Sequence, residues 1–222
     1  MNSEINMENK LKNEISQVVT PITHIVDDDR MARESLKWLL ESAHLAVQEF
    51  QCGNDFLKQF NKKVAGCVVL DVRMPDINGM ELFSRLKEYG ATIPVIIVTG
   101  HADVAMAVRA MKAGAFDFVE KPYNDAIMLE LIQNAINFDK NKREQQSKID
   151  KIKNRIDHLT PRETEVMKFV LSAKQNKIIA AELGISIKTV ELHRANLMSK
   201  MNVNSPTELV RLAMLAGVGG GE

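Results

Sequence analysis

Four short apolar runs, each ending on a polar or charged residue, set the plan of the first 140 residues. Ile22-Thr23-His24-Ile25-Val26 runs into Asp27-Asp28-Asp29, and Cys67-Val68-Val69-Leu70 runs into Asp71. Val95-Ile96-Ile97-Val98 ends at Thr99, and Phe116-Asp117-Phe118-Val119-Glu120 ends at Lys121-Pro122. Between and after these strand-like runs the apolar positions fall at helical spacing: Leu36, Leu39, Leu40 and Ala43; Leu82 and Leu86; Met106 and Ala110; Ile127, Leu131 and Ile132. The alternation predicts five strands and five helices over residues 20–138, an α/β domain with a doubly wound, five-stranded parallel sheet. Residues 1–19 are polar with weak periodicity and are expected to form a mobile extension.

The pattern changes after residue 138. Residues 139–157 are rich in charge, with Ile149, Ile152 and Ile156 at helical spacing, which predicts a partly helical linker that packs on the domain following it. Residues 158–216 read as four helices. Thr160-Pro161-Arg162-Glu163 and Ser205-Pro206-Thr207-Glu208 each place a hydroxyl at N-cap, Pro at N1 and Glu at N3. Between them a helix from about Asn176 to Leu183, a turn at Gly184 and a helix capped by Ser186 and running to Met201 make a helix-turn-helix. Residues 217–222, mostly glycine, are expected to be disordered.

Charge separates the two halves. The whole chain has formal net charge zero, but residues 1–140 carry 15 Lys+Arg against 20 Asp+Glu and residues 141–222 carry 14 against 9. An acidic domain joined to a basic one points to two tasks, the second on nucleic acid. No apolar run is long enough to span a bilayer, and the polar start has no signal-peptide core, so a soluble, cytoplasmic protein without a membrane partner is expected. Cys52 and Cys67 are expected to stay unpaired, and the five histidines show no metal-ligand spacing.

In an open parallel sheet, ligands sit outside the carboxyl ends of the strands. Asp27, Asp28, Asp71, Thr99 and Lys121 all follow their strands and so meet at that edge. Three carboxylates together repel unless a divalent cation sits among them, and hard oxygen ligands suit Mg²⁺. Asp71, on the central strand, is placed to attack phosphorus and become an acyl phosphate. Lys121 can pair with one phosphoryl oxygen and Thr99 can hydrogen-bond another. An aspartyl phosphatase of the haloacid-dehalogenase type would want an acid two residues after the nucleophile, where this chain has Arg73.

Residues 20–138 resemble the receiver domain of bacterial response regulators, a flavodoxin-like fold. The resemblance is carried by Val26-Asp27-Asp28, Asp71-Val72-Arg73-Met74-Pro75-Asp76-Ile77-Asn78-Gly79, Val98-Thr99-Gly100 and Glu120-Lys121-Pro122. It implies that Asp71 is phosphorylated by a partner histidine kinase, that Asp28 ligates Mg²⁺ directly and Asp27 largely through water, and that Arg73 offers its backbone carbonyl. It also implies a cis Lys121-Pro122 bond, and it puts Phe118 at the aromatic switch position that works with Thr99. Such a protein is no enzyme beyond accepting its own phosphoryl group and slowly losing it. Phosphorylation is expected to pair two copies through the helix from about Asp103 to Ala113 and the strand Phe116 to Val119.

Residues 158–216 resemble the LuxR-type DNA-binding domain through Leu159-Thr160-Pro161-Arg162-Glu163, Asn176 to Ser186, and Lys188-Thr189-Val190-Glu191-Leu192-His193-Arg194. With the receiver, the chain is similar to two-component transcription regulators of the FixJ/NarL class, and His193-Arg194-Ala195-Asn196 looks closest to the FixJ branch. Helical spacing sends Val190, Leu197 and Met201 to the core and leaves Lys188, Glu191, Leu192, Ala195 and Ser199 outside. Lys188, Thr189, Glu191, Leu192, Arg194 and Ala195 are the candidate contacts to double-stranded DNA. A further partner of this class is RNA polymerase. An RNA-binding antiterminator would need a different second module.

Overall fold

The computed structural model describes residues 20–218, and these divide into two compact units between Lys142 and Arg143. In the first unit, β1 (Ile22–Val26), β2 (Ala46–Phe50), β3 (Gly66–Asp71), β4 (Val95–Thr99) and β5 (Asp117–Glu120) form one parallel sheet in the order β2-β1-β3-β4-β5. Helices α1 (Arg30–Ser42), α2 (Gly53–Gln59), α3 (Gly79–Glu88), α4 (Val104–Lys112) and α5 (Asp125–Asp157) follow the strands in turn. Strand order reverses between β1 and β3, so a crevice opens at their carboxyl ends.

Central strands β3 and β4 are buried at every position, which is why they read as unbroken apolar runs: helices cover both faces of a parallel sheet. On one face Val26, Val68, Leu70 and Ile97 pack with Phe56 of α2, Leu82 and Leu86 of α3 and Ala110 of α4. On the other, Ile25, Val69, Ile96 and Val98 pack with Leu36 and Leu40 of α1 and with Met128, Ile132 and Ala135 of α5. Each fully buried Leu or Ile contributes roughly 1.5–3 kcal/mol. The stripe of α5 corrects the sequence expectation: Ile127 is 57% exposed. The Asn124 side chain accepts the Ala126 and Ile127 N–H groups and fixes the helix start, and the buried stripe then runs Met128, Ile132, Ala135 with Ile127 one residue out of phase. β2 had no residues assigned from sequence, because four of its five positions are only half-buried and two are polar.

Residues 139–157 are helical throughout, as the later part of α5, rather than in part. Asp139 belongs to the first unit, buried and accepting the Gly66 N–H at 2.9 Å. Ile152 belongs to the second, buried with Val166, Ile179, Leu197 and Leu209. That unit is completed by α6 (Pro161–Leu171), α7 (Asn176–Leu183), α8 (Ile187–Met201) and α9 (Pro206–Leu215). Thr160 and Glu163 close a reciprocal capping box. At α9 the box is shifted: Ser205 caps the Glu208 N–H, but the Glu208 carboxylate reaches the N–H of Asn204. α7 ends on Gly184 in the left-handed region, φ 64°. Val218, expected in a disordered tail, packs on the core and donates its N–H to the Ala213 carbonyl. The expected mobile segment 1–19 and residues 219–222 lie outside the described residues.

Among the described residues, one buried side chain, His24, is polar with no hydrogen-bond partner on its ring. His24 on β1 is 3% exposed, packs near the rings of Phe50 and Phe56 at 6.0 and 5.7 Å, and has no hydrogen-bond partner on either ring nitrogen. Burial lowers its pKa from 6.5 to about 4. The unfolded chain takes this proton near pH 6.5 and the folded chain only near pH 4, so acidification across that window favours unfolding. The expected loss is at most about 3 kcal/mol. We expect His24→Leu to flatten the decline of the urea midpoint across this window; an equal decline in parent and variant would contradict the assignment.

Candidate functional site

The site is built by strand ends. Asp27 and Asp28 leave β1, Asp71 is the last residue of β3, Thr99 the last of β4, and Lys121 follows β5. The parallel register sets these ends side by side: Val26 pairs with Leu70, Asp71 with Val98, and Thr99 with Glu120. Carboxylate oxygens of Asp27, Asp28 and Asp71 lie within 4.8 Å of one another. Asp27 and Asp71 are buried, whereas Asp28 faces solvent. The Lys121 ammonium bridges the buried pair, 2.6 Å from Asp27 Oδ2 and 2.7 Å from Asp71 Oδ1.

The remaining carboxylate oxygens are also held. Asp27 Oδ1 accepts the Asp29 N–H at 3.0 Å, and Asp71 Oδ2 accepts the Arg73 N–H at 2.6 Å. Burial raises the Asp27 carboxyl above its ordinary value and the nearby Asp71 charge adds to this, while Lys121 pulls it down. For Lys121, burial works to lower the pKa, but the hydrogen bonds and charges of Asp27 and Asp71 outweigh it and leave the ammonium favoured. Three carboxylates against one ammonium leave two negative charges, and the donor set is all oxygen. Both features fit a hard divalent cation such as Mg²⁺.

Backbone packing fixes Asp71. A Cβ at Gly79 would stand 2.1 Å from the Asp71 carbonyl oxygen, and the Gly79 N–H donates to the Val72 carbonyl at 2.9 Å. Only glycine lets α3 begin directly against β3. Arg33 of α1 donates to the Asp27 carbonyl at 2.6 Å; nothing in its sequence position signalled that contact. Thr99 is fully buried, its hydroxyl accepting the His101 N–H at 3.3 Å. The Lys121 N–H donates to the Thr99 carbonyl at 2.9 Å, which ties the two loops together. Phe118 is half-buried against the core that contains Leu86 and Ile97. The Lys121-Pro122 bond is cis.

In the second unit, Val190, Leu197 and Met201 of α8 are fully buried. Lys188, Glu191, Leu192, Ala195 and Ser199 are exposed, Leu192 at 60%. Thr189 and Arg194 are half-buried, and the Thr189 hydroxyl is engaged with Ser186 Oγ at 2.8 Å. Lys177 and Ile178 on α7 and Ile187 at the start of α8 are exposed as well. They extend the candidate interface beyond the residues singled out from sequence, which considered α8 alone.

Comparison with known proteins agrees with both halves. The family described as response regulator receiver domain matches residues 23–133, and that of bacterial regulatory proteins of the luxR family matches residues 157–213. The chain is 45% identical over 195 residues to the transcriptional regulatory protein FixJ of Azorhizobium caulinodans, covering 88% of this chain and 92% of that one. It is 41% identical to the response regulator protein TodT of Pseudomonas putida, covering 86% and 84%. Among solved structures, the response regulator StyR aligns with TM-score 0.82 at 39% identity over 88% of this chain and 98% of that one. Full-length FixJ from B. japonicum aligns with TM-score 0.55 at 42% identity over 90% and 98%. Among the described residues, no helix is long and apolar enough to cross a membrane. The chain therefore belongs to the two-component response regulators of the FixJ type, DNA-binding transcription regulators that join a receiver domain to a LuxR-type helix-turn-helix domain.

Proposed function

We propose that Asp71 takes a phosphoryl group from a partner histidine kinase in the cytoplasm, and that the acyl phosphate controls pairing of two copies and binding of double-stranded DNA ahead of RNA polymerase. The observation that carries this reading is the convergence of Asp27, Asp28 and Asp71 on one bridging ammonium at the strand ends. A carboxylate oxygen of Asp71 attacks phosphorus in line; the O–P bond forms as the P–N bond to the donor histidine breaks and its electron pair returns to the imidazole. Mg²⁺ held by Asp28, Asp71 and the Arg73 carbonyl, with Asp27 acting through water, would offset the charge that gathers there. Slow attack of water on phosphorus breaks the bond to Asp71, returns the carboxylate and releases inorganic phosphate.

Lys121 releases one carboxylate to pair with a phosphoryl oxygen, and Thr99 exchanges the His101 N–H for another. Because the Lys121 N–H bonds the Thr99 carbonyl, the two shifts are linked, and Phe118 fills the space that Thr99 leaves. Moving such an equilibrium from 1:99 to 99:1 takes about 5.5 kcal/mol. The face that responds is α4 with β5. Val104, Val108 and Met111 form an exposed apolar stripe there, 82%, 44% and 46% exposed, suited to a second copy. On α8, Lys188 and Arg194 serve phosphates, Glu191 accepts from a cytosine amino group, Leu192 and Ala195 meet thymine methyls, and Thr189 orders the helix start.

Asp71→Asn is expected to abolish acid- and base-labile labelling by a small phosphodonor in Mg²⁺ and to leave the chain monomeric in sedimentation, where the labelled parent pairs. Undiminished labelling would overturn Asp71 as acceptor, and an unchanged parent monomer after full labelling would overturn the dimer.

Lys121→Met removes the ammonium that competes for Asp27 and Asp71. Titration calorimetry should therefore show Mg²⁺ bound at least as tightly as in the parent, while phosphorylation no longer enhances DNA binding. Weaker metal binding would contradict this division of roles.

For the second unit, a fragment from Arg143 to Glu222 should bind DNA with steep salt dependence. A fragment from Ile156 loses Ile152 and the bond from Arg155 to the Met201 carbonyl, 3.0 Å, and should be less stable by roughly 2–5 kcal/mol. Lys188→Ala should flatten the salt slope by about one unit, and Glu191→Ala should relax one base preference by about 1–3 kcal/mol. Retained preference in Glu191→Ala, with altered preference on changing α9, would place the wrong helix in the groove.

A further inference from the structure

The loop from Val72 to Asn78 joins the phosphoryl acceptor to α3, and its backbone touches the acceptor directly through the Arg73 N–H on Asp71 Oδ2. Its inner end is fixed by Gly79 against Asp71. Its outer end is fixed by something the phosphoryl chemistry does not use. Asp76 projects from the loop, and its two carboxylate oxygens accept the N–H groups of Gly53 at 3.3 Å and Asn54 at 2.8 Å, 23 and 22 residues earlier in the chain.

The seat for this fork is specific. A Cβ at Gly53 would stand 2.2 Å from Ile77 Cγ2 and 3.5 Å from Met74 Cε, so the loop lies directly on the start of α2. Met74 and Ile77 are buried there, 8% and 5% exposed, alternating with solvent-facing Arg73 and Asp76. Burial alone would raise the Asp76 pKa, but the N–H groups of Asn54, Ile77, Gly53 and Asp76 itself outweigh it and hold the carboxylate ionised.

We propose that Asp76 is a positioning residue for phosphoryl acceptance: by fastening the loop to the backbone of Gly53 and Asn54, it sets the Arg73 backbone, amide and carbonyl, at the distance from Asp71 that metal binding needs. This rests on the reading of Asp71 as acceptor and Arg73 as a backbone ligand. Arg73 is exposed and its own side chain does not hold it. With Asp76 released, the loop keeps the hold at its base, where Val72 takes the Gly79 N–H, and Arg73 is the first residue beyond that hold.

The test uses the full chain and the variants Asp76→Ala, which removes both acceptors, and Asp76→Asn, which keeps one. Mg²⁺ is titrated by calorimetry without phosphodonor, and initial rates of labelling by acetyl phosphate are then measured across Mg²⁺ concentrations. Outer support of a metal ligand is expected to be worth roughly tenfold in metal affinity. Asp76→Ala should show about that loss, with the labelling rate recovering at saturating Mg²⁺, and Asp76→Asn should fall between it and the parent. Amide exchange at Gly53 and Asn54 should quicken in the same order. A folded Asp76→Ala that binds Mg²⁺ like the parent would overturn the proposal, as would a labelling defect that saturating Mg²⁺ leaves untouched. Should the Ala variant not fold, parental Mg²⁺ affinity in Asp76→Asn together with quickened exchange at Asn54 would equally overturn it. Failure of Asp71 as acceptor would appear instead as labelling that persists in Asp71→Asn, and the donor-free metal titration is independent of that result.

Discussion

A single ammonium, Lys121, holds two buried carboxylates at 2.6 and 2.7 Å, and the arrangement of the first unit depends on that sharing. Asp27 and Asp71 come from strands adjacent in the sheet, and without a cation between them their charges could not both be kept out of water. Lysine cannot satisfy all the charge present once Asp28 is counted, so the pocket suits a divalent cation. In the proposed reaction the same ammonium gives up a carboxylate to the arriving phosphoryl group. The backbone N–H of Lys121 on the Thr99 carbonyl ties its loop to the end of β4.

Around this centre the chain uses small residues and loop anchors to hold geometry. Gly79 admits α3 against Asp71, Arg33 fixes the Asp27 carbonyl, and Asp76 fastens the far side of the loop that follows Asp71. These contacts border the hydrophobic core, of which Met74 and Ile77 in the same loop are part. The contacts set where the carboxylate and backbone atoms stand, and a site built to hold a ligand is sensitive to errors of that kind.

The second unit solves a different problem, which is to hold one helix while leaving its outer face free. Glu163, 3% exposed, closes the Thr160 box and takes the Lys200 ammonium at 2.7 Å. The start of α6 is thus pinned to the end of α8. Arg155 takes the last carbonyl of α8, and Val190, Leu197 and Met201 fill the core side. The Glu163–Lys200 pair is partly exposed on its Lys200 side, so it adds little net stability while fixing which groups meet. Lys188, Glu191, Leu192 and Ala195 are left outside.

What the sequence determined by itself was set by local rules. Strand ends deliver their next residue to one edge, so Asp27, Asp28, Asp71, Thr99 and Lys121 could be placed together without coordinates. Hydroxyl, Pro and Glu at fixed offsets announced the starts of α6 and α9, and a spacing of seven and four sorted α8 into core and outer faces. Edge strand β2 escaped because half-buried polar positions carry no period, and Ile127 was misplaced because one residue of phase decides which side of α5 meets the sheet. The loop contacts of Asp76 with Gly53 and Asn54, the approach of Gly79 to Asp71, the bridge of Lys121 across two acids and the burial of unpaired His24 join residues far apart in the chain or depend on exact proximity. No local pattern encodes such pairings; they exist only once the strands have stacked and the distances between their ends are fixed by packing.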